Sequence, residues 1–188
     1  IAARHDVLVL ADCVQALGKI PIDVHGWGID YASFSAHKLY GPKGVGALYV
    51  KQGSPFAPYM HGGHQENGMR AGTESLHNIA GFGAACEDVP KLLAKANKIR
   101  VLKHQLIEQI REIKPDIVLN SPEEECLPNT ASITFPNMNS AGLMAMLDFY
   151  GIAVSGGSAC SAQEEKPSHV LKSIGLSDQA AKETLRIS

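Results

Sequence analysis

Residues 33–44 read SFSAHKLYGPKG and place one lysine, Lys38, between a short polar stretch and a glycine-rich turn. A lysine that bonds covalently to an aldehyde cofactor needs an amine that is desolvated or held beside other cations, so that part of it is neutral near pH 7. Ser33, Ser35, His37 and the backbone N–H groups of the turn could bind a phosphate close by. A solvated surface lysine before a Gly-Pro turn would have the same sequence, so the interpretation needs support from the rest of the chain.

The composition of the chain is that of a globular protein. It has 188 residues, of which 45% are hydrophobic and 19% are charged, enough for one large domain or two small ones. The net charge of -2 gives no general attraction for nucleic acid or for an anionic membrane. No apolar run approaches the roughly 20 residues that a membrane helix needs. We therefore expect neither nucleic acid nor membrane among the partners.

Four cysteines, Cys13, Cys86, Cys126 and Cys160, are scattered through the chain without a Cys-x-x-Cys pair. This spacing argues against a zinc ribbon and against a disulfide framework, and it fits a reducing compartment. We therefore expect a cytoplasmic protein.

An apolar run at residues 7–11, VLVLA, is closed by Asp12. Such a run predicts a strand that is buried on both faces, in a parallel or mixed sheet with helices on either side. Asp12 is either a cap for the next turn or a site residue, because open α/β sheets bind ligands where their strands end. Gln15 lies within one turn of Asp12 and could reach the same ligand.

Two further strands are predicted at residues 30–35 and 44–50, on either side of Lys38. A rigid sheet that presents a reactive side chain from a short connection is a common arrangement for a functional site. The lysine is therefore expected between two strands of one sheet.

The glycine-rich stretch at residues 61–74 is predicted to be a loop that contacts a phosphate or a partner. Arg70 and Thr73 are the residues in it that could bind an anion. His61 and His64 suggest a metal site, but no third ligand is well placed and the glycines favour a loop. We expect no resident metal.

The second half of the chain changes its pattern after a long predicted helix. Apolar residues recur at helical spacing from Val89, and Lys114-Pro115 ends the helix after about 25 residues. Alternating strands and a helix then predict a smaller α+β domain. The predicted strands are residues 116–120, 129–135 and 152–155, and the predicted helix is residues 142–150, capped by Ser140.

A small, polar stretch at residues 155–168 carries Cys160 near its centre. Structural cysteines are usually buried among apolar neighbours, and Cys160 has none nearby in sequence. Its isolation on a loop suits a thiol that must move to a substrate, although an incidental exposed thiol would look similar. The other three cysteines are interpreted as structural.

Four features together make the chain similar to the cysteine desulfurases, which are pyridoxal-phosphate enzymes of the class V aminotransferase family. They are the lysine segment, the Asp12/Gln15 pair, the loop with Arg70 and Thr73, and Ser-Gly-x-Ser-Ala-Cys at residues 155–160. The chain resembles the branch used in iron–sulfur cluster assembly, over essentially all its length. The resemblance implies an α/β fold, the C-terminal part of a fold type I pyridoxal-phosphate transferase. Residues 1–90 would belong to the cofactor-binding large domain, and residues 91–188 would form a small α+β domain with the long helix and the cysteine loop.

The resemblance implies a role for each residue at the cofactor, pyridoxal 5'-phosphate. Lys38 would hold it as an imine and later move protons, so Lys38 and His37 are the candidate catalytic residues of the segment. Asp12 would pair with the pyridinium nitrogen and keep the ring able to accept electrons. Gln15 would bond the ring hydroxyl, and Ser35 and His37 would bind the phosphate.

The resemblance also implies the reaction and the partners. Arg186 would bind the carboxylate of L-cysteine through its bidentate fork. Cys160 would attack the substrate sulfur, so that L-alanine leaves and a persulfide remains, and it could bind an iron–sulfur cluster transiently. The sulfur would pass to an acceptor or iron–sulfur scaffold protein. Thr73 matches a residue that reaches the phosphate of the neighbouring subunit, so a homodimer is implied.

Two other interpretations stay open. The chain could belong to a selenocysteine lyase or another class V enzyme, from which the Cys160 loop would distinguish a desulfurase. It could also be a non-catalytic fragment that docks sulfur-transfer partners, which the presence of Lys38, Asp12 and Gln15 together disfavours. The family's N-terminal half and its C-terminal end would lie outside this chain. We therefore expect a piece of a longer protein, inactive and a weak cofactor binder by itself.

Overall fold

The computed structural model describes residues 1–156 and 167–188. The chain divides into two compact units, Ile1–Lys95 and Ala96–Ser188. The predicted domain limits, residues 1–90 and 91–188, stay a prediction about the complete protein. In the part of the chain that the structure describes, no helix is both long and apolar enough to cross a membrane.

The first unit contains a mixed three-stranded sheet in the order β1-β2-β3. The strands are β1 Leu10–Asp12, β2 Tyr31–Ser35 and β3 Gly46–Val50. β1 runs parallel to β2, and β2 runs antiparallel to β3. The parallel pair brings the carboxyl ends of β1 and β2 to the same edge, where ligands of α/β sheets bind.

The first strand is shorter and more exposed than its apolar sequence predicts. Val7, Leu8 and Leu10 are exposed by 57%, 53% and 69%. The prediction of burial on both faces is therefore wrong for this chain. The reason is that β1 pairs with β2 alone among the described residues, while the apolar cluster around Ala32 covers only part of it.

Two consecutive helices follow the sheet. The long helix α2, Val89–Ile113, has the predicted 25 residues. The helix α1, Leu76–Glu87, was not predicted, because its glycines and weak amphipathic pattern conceal it. Phe82 of α1 is buried against Ala36 and Leu39, the two ends of the lysine-bearing turn.

The second unit is built on an antiparallel sheet in the order β4-β5-β6. Its core contains Ile107 of α2 together with Ile133 and Leu185, which are 0% and 1% exposed. The strands are β4 Val118–Leu119, β5 Ala131–Thr134 and β6 Thr184–Ile187; the helices are α3 Ser140–Phe149, α4 His169–Ser173 and α5 Asp178–Lys182.

Two predictions for the second unit need correction. Residues 152–155 contribute only an isolated bridge between Ser155 and Arg186, and no strand. The cap of α3 is Asn139 and not Ser140, because the Asn139 side chain accepts hydrogen bonds from Ala141 N at 2.9 Å and Gly142 N at 3.2 Å.

Candidate functional site

Strand β1 ends at Asp12, whose side chain is hydrogen-bonded to Ser33 of the neighbouring strand β2. Asp12 lies opposite Ser33 in the strand register. The Ser33 hydroxyl donates to Asp12 Oδ1 at 3.2 Å, and the backbone N–H of Val14 donates to the same oxygen at 3.0 Å. Asp12 is exposed, and its Oδ2 accepts no hydrogen bond from the described residues. One oxygen thus caps the local turn, and the other remains available to a cationic donor on a ligand.

Lys38 lies on a single 3-10 helix, Ala36–Leu39, which connects β2 to β3. The helix is fixed at its ends by two buried residues, Ala36 at 0% and Leu39 at 3% exposure. Tyr40 adopts a left-handed conformation after it, with φ of 63°. The two residues between the anchors, His37 and Lys38, are exposed. Burial of Ala36 and Leu39 therefore anchors the segment, while the side chains of His37 and Lys38 face solvent.

The backbone after Lys38 turns back, so that Gly41 contacts Ala36 at the start of the 3-10 helix. The Gly41 N–H donates to the Ala36 carbonyl at 2.9 Å. A Cβ at Gly41 would lie 3.0 Å from that oxygen, so a larger residue would have to displace the backbone. The glycine of the Gly-Pro turn is therefore needed for close approach.

Ser35 and His37 form a second pair of polar side chains at the end of β2. Ser35 Oγ and His37 Nδ1 are 2.8 Å apart and share a hydrogen bond. In either neutral tautomer this pair keeps one donor for a phosphate oxygen: the Nε2–H when the hydroxyl donates to Nδ1, and the hydroxyl when the Nδ1–H donates to Oγ. The structure thus brings together the two phosphate-binding residues predicted from the sequence.

Lys19 is a cation near Lys38 that the sequence prediction missed. Its Nζ donates to Gln15 Oε1 at 2.7 Å. Burial and then the positive charge of Lys38 lower the pKa of Lys19. Lys38 itself is exposed in this chain, so of the two conditions expected for an imine-forming lysine, the structure provides the neighbouring cation and not the desolvation. The four-residue spacing of Gln15 and Lys19 was the available sequence signal.

Gly18 allows the turn that carries Gln15 and Lys19 to pack onto the lysine-bearing helix. It has a φ of +77°, and a Cβ placed there would lie 2.5 Å from Leu39 Cδ1. The contact joins the segment after β1 to the segment after β2. The segment with Gln15 and the segment with Lys38 are therefore packed next to each other.

The glycine-rich loop contributes exposed groups to the first unit. Thr73 is exposed and makes no hydrogen bond among the described residues. Arg70 is also exposed, and its Nη1 donates to the Ala71 carbonyl at 3.0 Å. Across residues 1–156 and 167–188, no cluster of three or more His, Cys, Asp or Glu side chains could hold a metal ion.

Arg186 belongs to the second unit, where β6 places it between two neighbouring segments. It lies opposite Ser132 of β5, and on its other side it exchanges backbone hydrogen bonds with Ser155, at 2.6 Å and 3.1 Å. Its Nε is buried and has no hydrogen-bond partner among residues 1–156 and 167–188. A buried guanidinium N–H without a partner is costly, so this group is suited to an anionic ligand.

The predicted nucleophile Cys160 lies outside the described residues, five positions after Ser155. Among the other cysteines, Cys13 is only 5% exposed. Burial and the neighbouring Asp12 carboxylate raise the pKa of Cys13. Its burial supports the structural interpretation made from the sequence.

The chain is similar to known proteins over essentially all its length. The family model described as aminotransferase class V matches residues 1–188. The cysteine desulfurase IscS of Dictyoglomus turgidum is 39% identical over 189 residues, covering 100% of this chain and 48% of that protein. A NifS-like protein from Rickettsia africae is 32% identical with a TM-score of 0.86, covering 100% of this chain and 49% of that one. SspA in complex with cysteine is 36% identical with a TM-score of 0.73, covering 100% of this chain and 51% of that one. The chain spans about half the length of these relatives.

Proposed function

This chain belongs to the class V aminotransferase family, and from that premise we propose that it forms part of a pyridoxal-phosphate-dependent cysteine desulfurase. The proposed reaction removes sulfur from L-cysteine, releases L-alanine and leaves a persulfide on Cys160. The observation that carries the proposal is the grouping of Asp12, Ser35, His37 and Lys38 after two neighbouring strands of one sheet. The relatives named cysteine desulfurase support it.

The donor set of the first unit fits pyridoxal phosphate. When bound, this cofactor withdraws electrons from the α-carbon of an amino acid. Asp12 has a carboxylate oxygen available for the ring nitrogen, and Gln15 keeps its amide N–H groups, because its Oε1 is occupied by Lys19. Ser35 and His37 would hold the phosphate, helped by Thr73 of a neighbouring subunit. Each polar part of the cofactor therefore has a chemically suitable partner in this chain.

Lys38 is the residue that we propose to bind the cofactor aldehyde and to move the α-proton of the substrate. Its exposed amine sits on a backbone that two buried neighbours hold in place. Lys19 adds a positive charge close by.

Arg186 and Cys160 would act on the substrate. The guanidinium of Arg186 would bind the L-cysteine carboxylate. The observation in favour of that role is its buried Nε, which finds no hydrogen-bond partner in the part of the chain that the structure describes. The Cys160 thiolate would form a bond to the substrate sulfur as the carbon–sulfur bond breaks, with the electron pair left on the carbon skeleton that becomes alanine. We propose that the persulfide sulfur then passes to an acceptor or iron–sulfur scaffold protein, in a cytoplasmic homodimer.

The substitution Cys160→Ala in the complete protein tests the proposed function. We expect it to abolish persulfide formation and sulfide release from L-cysteine, while the visible absorbance of bound pyridoxal phosphate stays unchanged. Cys86→Ala is the matched control, because Cys86 is exposed on α1 and has no proposed role. Unchanged sulfide release by the Cys160 variant would contradict the desulfurase mechanism and favour another class V enzyme.

A further inference from the structure

A buried lysine and a cysteine lie in contact in the second unit, away from all residues used above. Lys103 of α2 is only 9% exposed. Its Nζ lies 3.1 Å from Cys126 Sγ and 3.0 Å from the Leu127 carbonyl oxygen, to which it donates. Cys126 lies in the connection between β4 and β5. The pair therefore joins the long helix to the loop that follows β4.

The Lys103 ammonium has no carboxylate partner among the described residues. A lysine carries three N–H donors, and only a sulfur and a carbonyl receive them here. The Cys126 thiol in turn donates to the Glu123 carbonyl at 3.7 Å, so the sulfur is held between that carbonyl and the lysine nitrogen. The nitrogen and the sulfur are thus in direct contact, and cysteine sulfur is the group in this pair that peroxides oxidise.

The position of Cys126 suits chemistry with a small oxidant. Cys126 is half-buried, in contrast to Cys13, which is enclosed in the core of the first unit. The loop is already tied to α2 by the ion pair of Arg111 and Glu123, at 2.9 Å. A bond between Lys103 and Cys126 would thus join two segments that are already in contact, without moving the helix.

We propose that Lys103 and Cys126 form a covalent sulfenamide cross-link when the protein meets a peroxide. In the first step the peroxide transfers one oxygen to Cys126 Sγ, giving a sulfenic acid and one water. The neutral amine of Lys103 then attacks that sulfur, the sulfur–oxygen bond breaks, and a second water carries away the oxygen and an amine proton. The sulfur is oxidised by two electrons and the peroxide is reduced to water. A thiol reductant would reverse the link by attacking the sulfur and releasing the amine.

The test is peroxide treatment of the complete protein, followed by proteolysis and mass spectrometry. We expect a peptide pair joined through Lys103 and Cys126, two hydrogens lighter than the separate peptides, that separates again on treatment with dithiothreitol. Cys86 is the internal control in the same digest, since it is exposed and has no hydrogen-bonded lysine among the described residues. Cys86 should give a sulfenic or higher acid without a lysine link.

Lys103→Arg provides a variant that keeps the charge and the hydrogen-bond donors, so the fold should be retained, as circular dichroism would check. The cross-linked peptide should fall below detection in this variant, and Cys126 should stop at a sulfenic acid that dimedone traps. A wild-type protein in which Cys126 stays unmodified, gives an oxidised acid with an unmodified Lys103, or pairs with another cysteine would overturn the proposal.

Discussion

The two carboxylate oxygens of Asp12 have different environments: Oδ1 binds groups of the protein, and Oδ2 is the one that we propose for the cofactor. Oδ1 accepts hydrogen bonds from the Ser33 hydroxyl and the Val14 N–H, which fixes the orientation of the group. The two hydrogen bonds to Oδ1 therefore also set the position of Oδ2, which accepts none from the described residues. The sequence left two interpretations of Asp12 open, a cap and a site residue. The structure shows the cap, and the site role stays a prediction.

Asp12→Asn is therefore expected to impair the chemistry more than the fold. Asparagine keeps an oxygen for Ser33 and Val14 but loses the negative charge that would hold the cofactor nitrogen protonated. We expect sulfide release to fall at least about tenfold, which corresponds to about 1.4 kcal/mol of transition-state stabilisation. Asp23→Asn is the control, because Asp23 accepts a bond from Gly26 N in an exposed turn and has no proposed ligand. Equal activities in the two variants would remove Asp12 from the mechanism.

The sequence points to single residues where a motif surrounds them, and their roles stay predictions. Lys38, His37 and Cys160 can be named in this way because their neighbours are distinctive. Lys19 has only its four-residue spacing from Gln15 as a signal, and Lys103 has none. The importance of Lys103 depends on Cys126, which is distant in the chain and adjacent in space.

At the scale of elements, Gly18 determines how closely two segments pack. Gly18→Ala would add a Cβ 2.5 Å from Leu39 Cδ1 at a residue with φ of +77°. We expect a loss of roughly 2–4 kcal/mol in the free energy of unfolding, from overpacking together with left-handed strain. Chemical denaturation of the complete protein measures it.

Gly28→Ala separates the two causes. Gly28 has a φ of +66° but no atom within 4 Å of its added Cβ, so it would suffer the backbone strain alone. We expect it to cost roughly 1–2 kcal/mol. If both variants lose the same free energy, the close contact with Leu39 contributes nothing.

Asp30, just before β2, binds residues that flank β1 and β3 and should make the stability of the first sheet depend on pH. The Val9 N–H donates to Asp30 Oδ2 at 2.9 Å, and Ser54 and Lys51 lie at 3.3 Å and 3.6 Å from Oδ1. The Val9 hydrogen bond, with smaller contributions from Ser54 and Lys51, lowers the pKa of Asp30 below its ordinary value of 3.8. A lowered pKa contributes stability that is complete above the ordinary value and is lost as the pH falls through the folded value.

Asp30→Asn should therefore be less stable than the wild type at neutral pH, and the difference should shrink below about pH 4. Urea unfolding at a series of pH values measures this difference. Asp148→Asn is the control, because Asp148 is exposed and makes no ion pair among the described residues. If the difference in unfolding free energy between wild type and Asp30→Asn stays constant into the acid range, the ionised Asp30 carboxylate is not its cause.

The sequence predicted elements whose apolar residues recur at regular spacing. It did not predict features that depend on which other segments pack nearby. The 25 residues of α2 match the prediction because the apolar spacing is regular over seven turns. The exposure of β1 could not be predicted, because an apolar run does not reveal which of its sides finds a partner. The bridge at Ser155 replaces a predicted strand because only one residue meets β6 in register.

For the whole molecule, the fold class predicted from the sequence is confirmed. The mixed α/β architecture matches NifS-like structures over essentially the whole chain, with TM-scores of 0.84 and 0.86. The residues predicted for the cofactor lie in the first unit and Arg186 in the second. How the complete protein assembles them stays a prediction, because this chain spans about half the length of its relatives.

The homodimer is a prediction for the complete protein. If Thr73 binds the phosphate of a neighbouring subunit, sedimentation should show twice the mass of one chain, and Thr73→Ala should weaken cofactor binding without changing the fold. Thr130→Ala is the control, since Thr130 lies in the second unit and has no proposed ligand. A complete protein that sediments as a monomer, or a Thr73→Ala variant that binds pyridoxal phosphate as tightly as the wild type, would exclude this role.

The assignment of Lys38 as the cofactor lysine is tested most directly by borohydride reduction of the complete protein loaded with pyridoxal phosphate. Reduction attaches the cofactor permanently to the lysine that carries it, and peptide mapping identifies that residue. Our account predicts loss of the visible absorbance and label on Lys38. Label on Lys19, the neighbouring amine whose pKa is lowered by burial and by Lys38, or on Lys43 of the adjacent turn would contradict it.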